Sequence, residues 1–84
     1  MNGQTLALLK RLNRYRHTPD LHSFKAKING GVVFVECSAE NAFYIVAFVY
    51  DQDGRETRKF WDVTTEEAAK VLDALGLDLE SVET

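Results

Sequence analysis

Residues 42–50 read AFYIVAFVY, nine apolar or aromatic residues without a break, bounded by Asn41 and by Asp51-Gln52-Asp53-Gly54. The run is rich in β-branched and aromatic side chains and too short to cross a bilayer, so it predicts a strand. Successive side chains of a strand point to opposite faces, which makes this one apolar on both. Turn signals on either side predict short hairpins and therefore an antiparallel sheet, which in a small domain often leaves one face in water. Such a face would display aromatic rings. Three covers are open to it: the chain's own helix, a second copy of the chain, or another partner. The stretch points to a binding surface and names no reaction and no ligand.

The neighbouring segments extend this reading. His22 to Ile28 predicts a first strand, with Phe24, Ala26 and Ile28 on one face and Ser23, Lys25 and Lys27 on the other. Asn29-Gly30-Gly31 is a tight-turn signal. Val32 to Cys37 predicts an apolar second strand, and Ser38-Ala39-Glu40-Asn41 turns the chain into the third. Gly54, free to take positive φ, closes the next turn before a fourth strand at Arg55 to Val63. In a simple meander the lysine-bearing first strand and the arginine-bearing fourth lie at the edges, where charge discourages accidental pairing.

Helices are expected at both ends. Over residues 5–17, Leu8, Leu12 and Tyr15 recur at helical spacing beside Leu9, Thr5 is placed to cap the start, and Pro19 stops the helix. Over residues 65–75, Thr64-Thr65-Glu66-Glu67 has the form of a capping box, Ala68, Val71, Leu72 and Leu75 form a stripe, and Gly76 ends the helix with Leu77 packing back. Leu77, Leu79 and Val82 in the tail, 77–84, fit an added strand, a cover for the core or a frayed end. The expected fold is α+β: one domain over 1–84, a two-layer α-β-β-β-β-α arrangement with a four-stranded antiparallel meander spanning 22–63.

Composition narrows the class. The chain has 84 residues, 45% apolar and 27% charged, as in ordinary globular proteins. Its one cysteine, Cys37, excludes an internal disulfide and favours a reducing, cytoplasmic setting. Lys10 and Arg11 follow only a short apolar stretch, so no signal peptide is expected, and no run is long enough for a membrane span. The net charge of −3 conceals a polarity: residues 1–27 hold six basic and one acidic side chain, residues 28–84 four basic and twelve acidic. This asymmetry fits either a basic helix beside an acidic one or a surface for nucleic acid.

The face opposite Phe24, Ala26, Ile28, Trp61 and Val63 is the candidate contact surface. It would carry Val32, Phe34, Arg58 and Phe60 together with half of the third strand. That half is either Tyr44, Val46, Phe48 and Tyr50 or Phe43, Ile45, Ala47 and Val49. The tyrosine set is expected outward, because tyrosine tolerates a wet rim and is enriched at interfaces. The competing arrangement has one helix covering each face and leaves no patch.

Chemistry-bearing constellations are sparse. Cys37 lies in an apolar strand and reads as a buried, unreactive thiol. His17, Asp20 and His22 have no recognised ligand spacing. Glu56 and Asp62 share a strand face but lie about 20 Å apart, too far for paired acid–base work. No phosphate-binding glycine loop and no Ser-His-Asp pattern is present. No catalytic residue, metal, cofactor or small-molecule substrate is expected.

The helix–strands–helix order resembles that of double-stranded-RNA-binding domains. That resemblance implies lysines at the start of the last helix, where this chain has Glu66-Glu67. Residues 58–69, RKFWDVTTEEAA, resemble the strand-to-helix passage of plant ethylene-response-factor DNA-binding domains. That family reads DNA with arginine- and tryptophan-studded strands, whereas the central strands here are apolar. Neither resemblance carries a functional residue to this chain. What remains for nucleic acid is a basic surface of Lys10, Arg11 and Arg14, joined by Lys25 and Lys27, that would contact phosphates without reading sequence. The expected role is a non-catalytic interaction protein of the inhibitor, adaptor or regulator type, a class common among phage- and plasmid-encoded chains. It would act through the aromatic face on a protein partner or as a homodimer, with nucleic-acid binding through the basic helix as the alternative.

Overall fold

Apolar alternation decides which way each strand faces, and the computed structural model, describing residues 3–83, follows it strand by strand. The elements are α1 (Gly3–Arg14), β1 (Ser23–Ile28), β2 (Gly31–Ala39), β3 (Ala42–Tyr50), β4 (Glu56–Thr64), α2 (Thr65–Ala74) and a short 3-10 turn at Leu79–Ser81. All neighbouring strands pair antiparallel in the order β1-β2-β3-β4, so the expected α-β-β-β-β-α meander is present.

Phe24, Ala26, Ile28, Val33, Val35, Cys37, Phe43, Ile45 and Ala47 point to one side of the sheet and are buried there. Leu9 and Leu12 of α1 and Ala68, Ala69 and Leu72 of α2 close over them. The arrangement with one helix on each face is therefore overturned. The helices lie side by side on the same face, α1 against β2 and α2 against β3 and β4. A single apolar stripe on each helix has one floor to bury against, and two adjacent helices make a closed two-layer core. The β3–β4 hairpin outruns this cover: residues 51–60 are all exposed.

Several local expectations need correction. The first helix covers Gly3–Arg14 and not 5–17. The Tyr15 amide is shared between the Arg11 and Leu12 carbonyls at 3.1 and 3.2 Å, and Arg16 and Thr18 then donate three residues back, so the α-helix unwinds through a tight turn ahead of Pro19. Tyr15 lies outside the apolar stripe and is exposed. Thr5 is not a cap: it lies within α1, is buried, and its hydroxyl donates to Asp73 Oδ1 of α2 at 2.9 Å. Thr64 does occupy the N-cap of α2, in extended conformation, but its hydroxyl makes no capping bond, so the capping box is unused. The sheet runs from Ser23 to Thr64, and α2 ends at Ala74, with Leu75 as its C-cap. Gly76, at φ 75°, donates to the Asp73 carbonyl while Leu77 donates to Leu72, the expected left-handed stop. A register shift between Cys37 and Ala39 bends the end of β2.

The tail is both an added strand and a cover. Lys25 and Glu83 exchange backbone hydrogen bonds, Asp78 donates its amide to the Lys27 carbonyl, and the Lys27 amide donates to Ser81 Oγ. Leu77 and Val82 pack against the core. The outer edge of β1 is thereby paired and β4 is the open edge. Met1, Asn2 and Thr84, the ends of the expected 1–84 domain and 77–84 tail, lie outside the described residues.

Candidate functional site: the open sheet face

With both helices on one side, the other face of the sheet stands open. Strand register sorts its side chains into cross-strand rows. One row is Ser23, Glu36, Tyr44 and Asp62. The next is Lys25, Phe34, Val46 and Phe60, and the third is Lys27, Val32, Phe48 and Arg58. Tyr50 and Glu56 follow at the hairpin end. Every residue of the expected sheet-face set, namely Val32, Phe34, Tyr44, Val46, Phe48, Tyr50, Arg58 and Phe60, belongs to this one face. The tyrosine half of β3 is outward, and the half from Phe43 to Val49 turns to the core.

The aromatic rings are accessible: Phe60 is 60% exposed, Tyr50 50%, Phe34 43% and Tyr44 41%. They are also held in place. Phe34 and Phe48 meet edge-to-face with centroids 5.8 Å apart, and Tyr44 and Phe60 lie 5.6 Å apart and tilted. Lys25 Nζ sits 5.7 Å from the Phe34 centroid and Arg58 Cζ 5.2 Å from that of Phe48. Both are at cation–π distance, so the two cationic groups lie over rings of the patch. The result is an apolar, pre-ordered centre with a charged rim, the composition of many protein interfaces.

Beside the patch, His22, Glu36, Phe34, Tyr44 and Lys25 line a shallow depression of about 610 Å³. His22 Nδ1 lies 3.1 Å from the Thr18 carbonyl and Nε2 3.1 Å from Glu36 Oε1. Both partners are acceptors, so both ring nitrogens donate and the imidazolium is the form that fits. The Thr18 carbonyl, then Glu36, raise the His22 pKa from 6.5. This pair was not legible from sequence, because it depends on the Ser23–Glu36 register, which places His22 alongside Glu36.

The basic set does not form one surface. Lys10, Arg11 and Arg14 are exposed on α1, in the helical layer. Lys25 and Lys27 lie on the open face of the sheet, in the other layer. Cys37 is buried, and burial pushes its thiol pKa up. Among the described residues no group of three His, Cys, Asp or Glu side chains is placed to hold a metal ion, and no helix is long and apolar enough to cross a membrane. No protein-family model, curated protein or solved structure matches the chain.

Proposed function

We propose that this protein is a small non-catalytic interaction module that acts by stoichiometric contact through its open sheet face and self-associates there. The supporting observation is the placement of both helices on one side, which leaves four exposed aromatic rings on the other. Contiguous apolar patches of this kind on monomers usually mark contact sites. The single buried thiol suits a reducing, cytoplasmic compartment. An inhibitor, adaptor or regulator, as phages and plasmids often encode, fits a chain whose one prominent feature is a contact face.

The test is the solution mass across a tenfold dilution at two salt concentrations, for the wild type and for Phe60→Asp. Association above the 9.5 kDa monomer that survives salt and is lost in Phe60→Asp supports the reading. Association that ignores Phe60→Asp overturns it. A wild-type monomer directs the same variant pair to a search for a different protein partner.

A second reading rests on Lys10, Arg11 and Arg14, exposed on adjacent turns of α1. These cations would bind nucleic-acid phosphates, with affinity falling steeply as salt rises. Reversing all three charges should then abolish oligonucleotide binding; binding that is absent at low salt removes this reading.

A further inference from the structure

We infer that the occupant of the open face is a second copy of this chain, stacked so that β4 lies over β4 of its partner with the rows reversed. This inference rests on the self-association proposed above and adds its geometry. Sheets that pack face to face keep their strands roughly aligned. A closed two-fold dimer then has two choices of axis: along the strands or across them.

The charges on the rows distinguish these choices. An axis along the strands, between β2 and β3, sets β1 over β4 of the other copy. It places Lys27 against Arg58 twice and creates no opposite-charge pair. An axis across the strands, along the row that holds Phe34, Val46 and Phe60, sets each strand over its own counterpart. The rows on either side of the axis then exchange. Asp62 meets Arg58 of the second copy, twice by symmetry, and Tyr44 meets Phe48. Phe60, the most exposed large apolar side chain among the described residues, meets its own equivalent on the axis. The one like-charge pair is Lys25 with Lys25, at the outer margin where both side chains remain hydrated. Moving the axis half a row toward the β3–β4 hairpin brings Asp62 against Glu56 and Lys25 against Lys27, and a full row brings Arg58 against Arg58. Half a row the other way sets Asp62 on Phe60 and leaves no opposite-charge pair, and a full row brings Asp62 against Asp62. Charge therefore selects one register as well as one orientation.

The area is consistent with a reversible dimer. Four strands about 4.8 Å apart, with outward side chains about 6.7 Å apart in three full rows and half of a fourth, give a patch of roughly 450 Å² in projection. Two such faces remove about 900 Å² from water, at the lower end for a specific interface.

The experiment is a charge exchange read by sedimentation equilibrium from micromolar to millimolar concentration, with circular dichroism to verify folding. Arg58→Asp and Asp62→Arg are each expected to weaken the dimer at least tenfold. The double variant Arg58→Asp/Asp62→Arg regains most of the loss, and so does an equimolar mixture of the two single variants, which forms the mixed dimer. Arg58→Asp also loses the contact with the Phe48 ring, so recovery in the double variant and in the mixture is the decisive result. No recovery in either, or no effect of the single changes, overturns this geometry. If association is nevertheless lost in Phe60→Asp, the face remains a protein contact and only the arrangement falls. Association that survives Phe60→Asp overturns both. A wild-type chain that stays monomeric to millimolar concentration overturns the second copy as occupant.

Discussion

Phe43 and Phe60 are phenylalanines on adjacent strands of the same sheet, and truncating each to alanine should have very different consequences. Phe43 is 0% exposed and Phe60 is 60% exposed. Removing a fully buried phenylalanine costs the transfer of its side chain plus the cavity left behind, about 3–5 kcal/mol. Only two fifths of Phe60 is out of water, so the same truncation there should cost about 1 kcal/mol, scaling from roughly 1.5–3 kcal/mol for full burial. An 84-residue domain has a total stability of roughly 4–13 kcal/mol, so Phe43→Ala removes a large share of it and Phe60→Ala a small one. Trp61, the only tryptophan, is half-buried on the core face and reports unfolding by fluorescence. Urea titration at low micromolar concentration keeps self-association from contributing. With m near 1–2 kcal/mol/M, the midpoints should separate by about 1–4 M. Should Phe43→Ala fail to fold, Ile45→Val on the same buried face, costing about 1 kcal/mol, gives a milder comparison with Val46→Ala opposite it. Equal costs for Phe43 and Phe60 would refute the assignment of faces and, with it, the open surface.

Other consequences can be checked on the same folded chain. Thr5→Val keeps the shape of a buried side chain but removes its hydrogen bond to Asp73, so a loss of about 1–2 kcal/mol is expected in urea titration, and none if the hydroxyl is idle. Gly31→Ala drives a methyl into the Phe48 carbonyl across the β2–β3 ladder, and should cost more than about 2 kcal/mol or splay the end of the hairpin, visible as loss of amide protection near Val32. His22 should titrate above 6.5 by NMR, and Glu36→Gln should lower its midpoint. A proton held more tightly in the folded state stabilises it fully below the unfolded value of 6.5 and is lost as pH rises through the higher folded value, so the stability difference between wild type and Glu36→Gln should shrink over that interval. A difference that does not change with pH would mean that the imidazolium is not the bound form.

The strands were legible because their chemistry is local. Phe24, Ala26 and Ile28 alternating with lysines give the first strand only one possible inward face, and tight turns transmit that choice to the next strands. The outward placement of Tyr44 and Tyr50 followed from the tolerance of tyrosine for water. Three features escaped because each depends on what is packed nearby. The leucine spacing of α1 continues through Tyr15, yet the helix stops at Arg14, where the chain must turn toward β1. Asn13 anchors that end, its side chain accepting from the Asn41 amide at 2.8 Å, a contact between residues 28 positions apart. Thr64 and Glu67 have the form of a capping box that the structure leaves unused. The tail docks only because β1 presents an edge to pair with, which no local pattern in Leu77, Leu79 and Val82 records. Within the site, the rows of the open face and the His22–Glu36 pair needed the register, while the identity of the aromatic residues did not.

The contact role of the open face is tested most directly by methyl and amide NMR shifts over a concentration series up to about 1 mM, where weak dimers near the lower size bound become populated. The account predicts concentration-dependent shifts at Val32, Val46 and the amides of Tyr44, Phe48 and Phe60, with Val33, Val35 and the exposed surface of α1 unchanged. Shifts centred on Lys10, Arg11 and Arg14, with the sheet face unmoved, would contradict it.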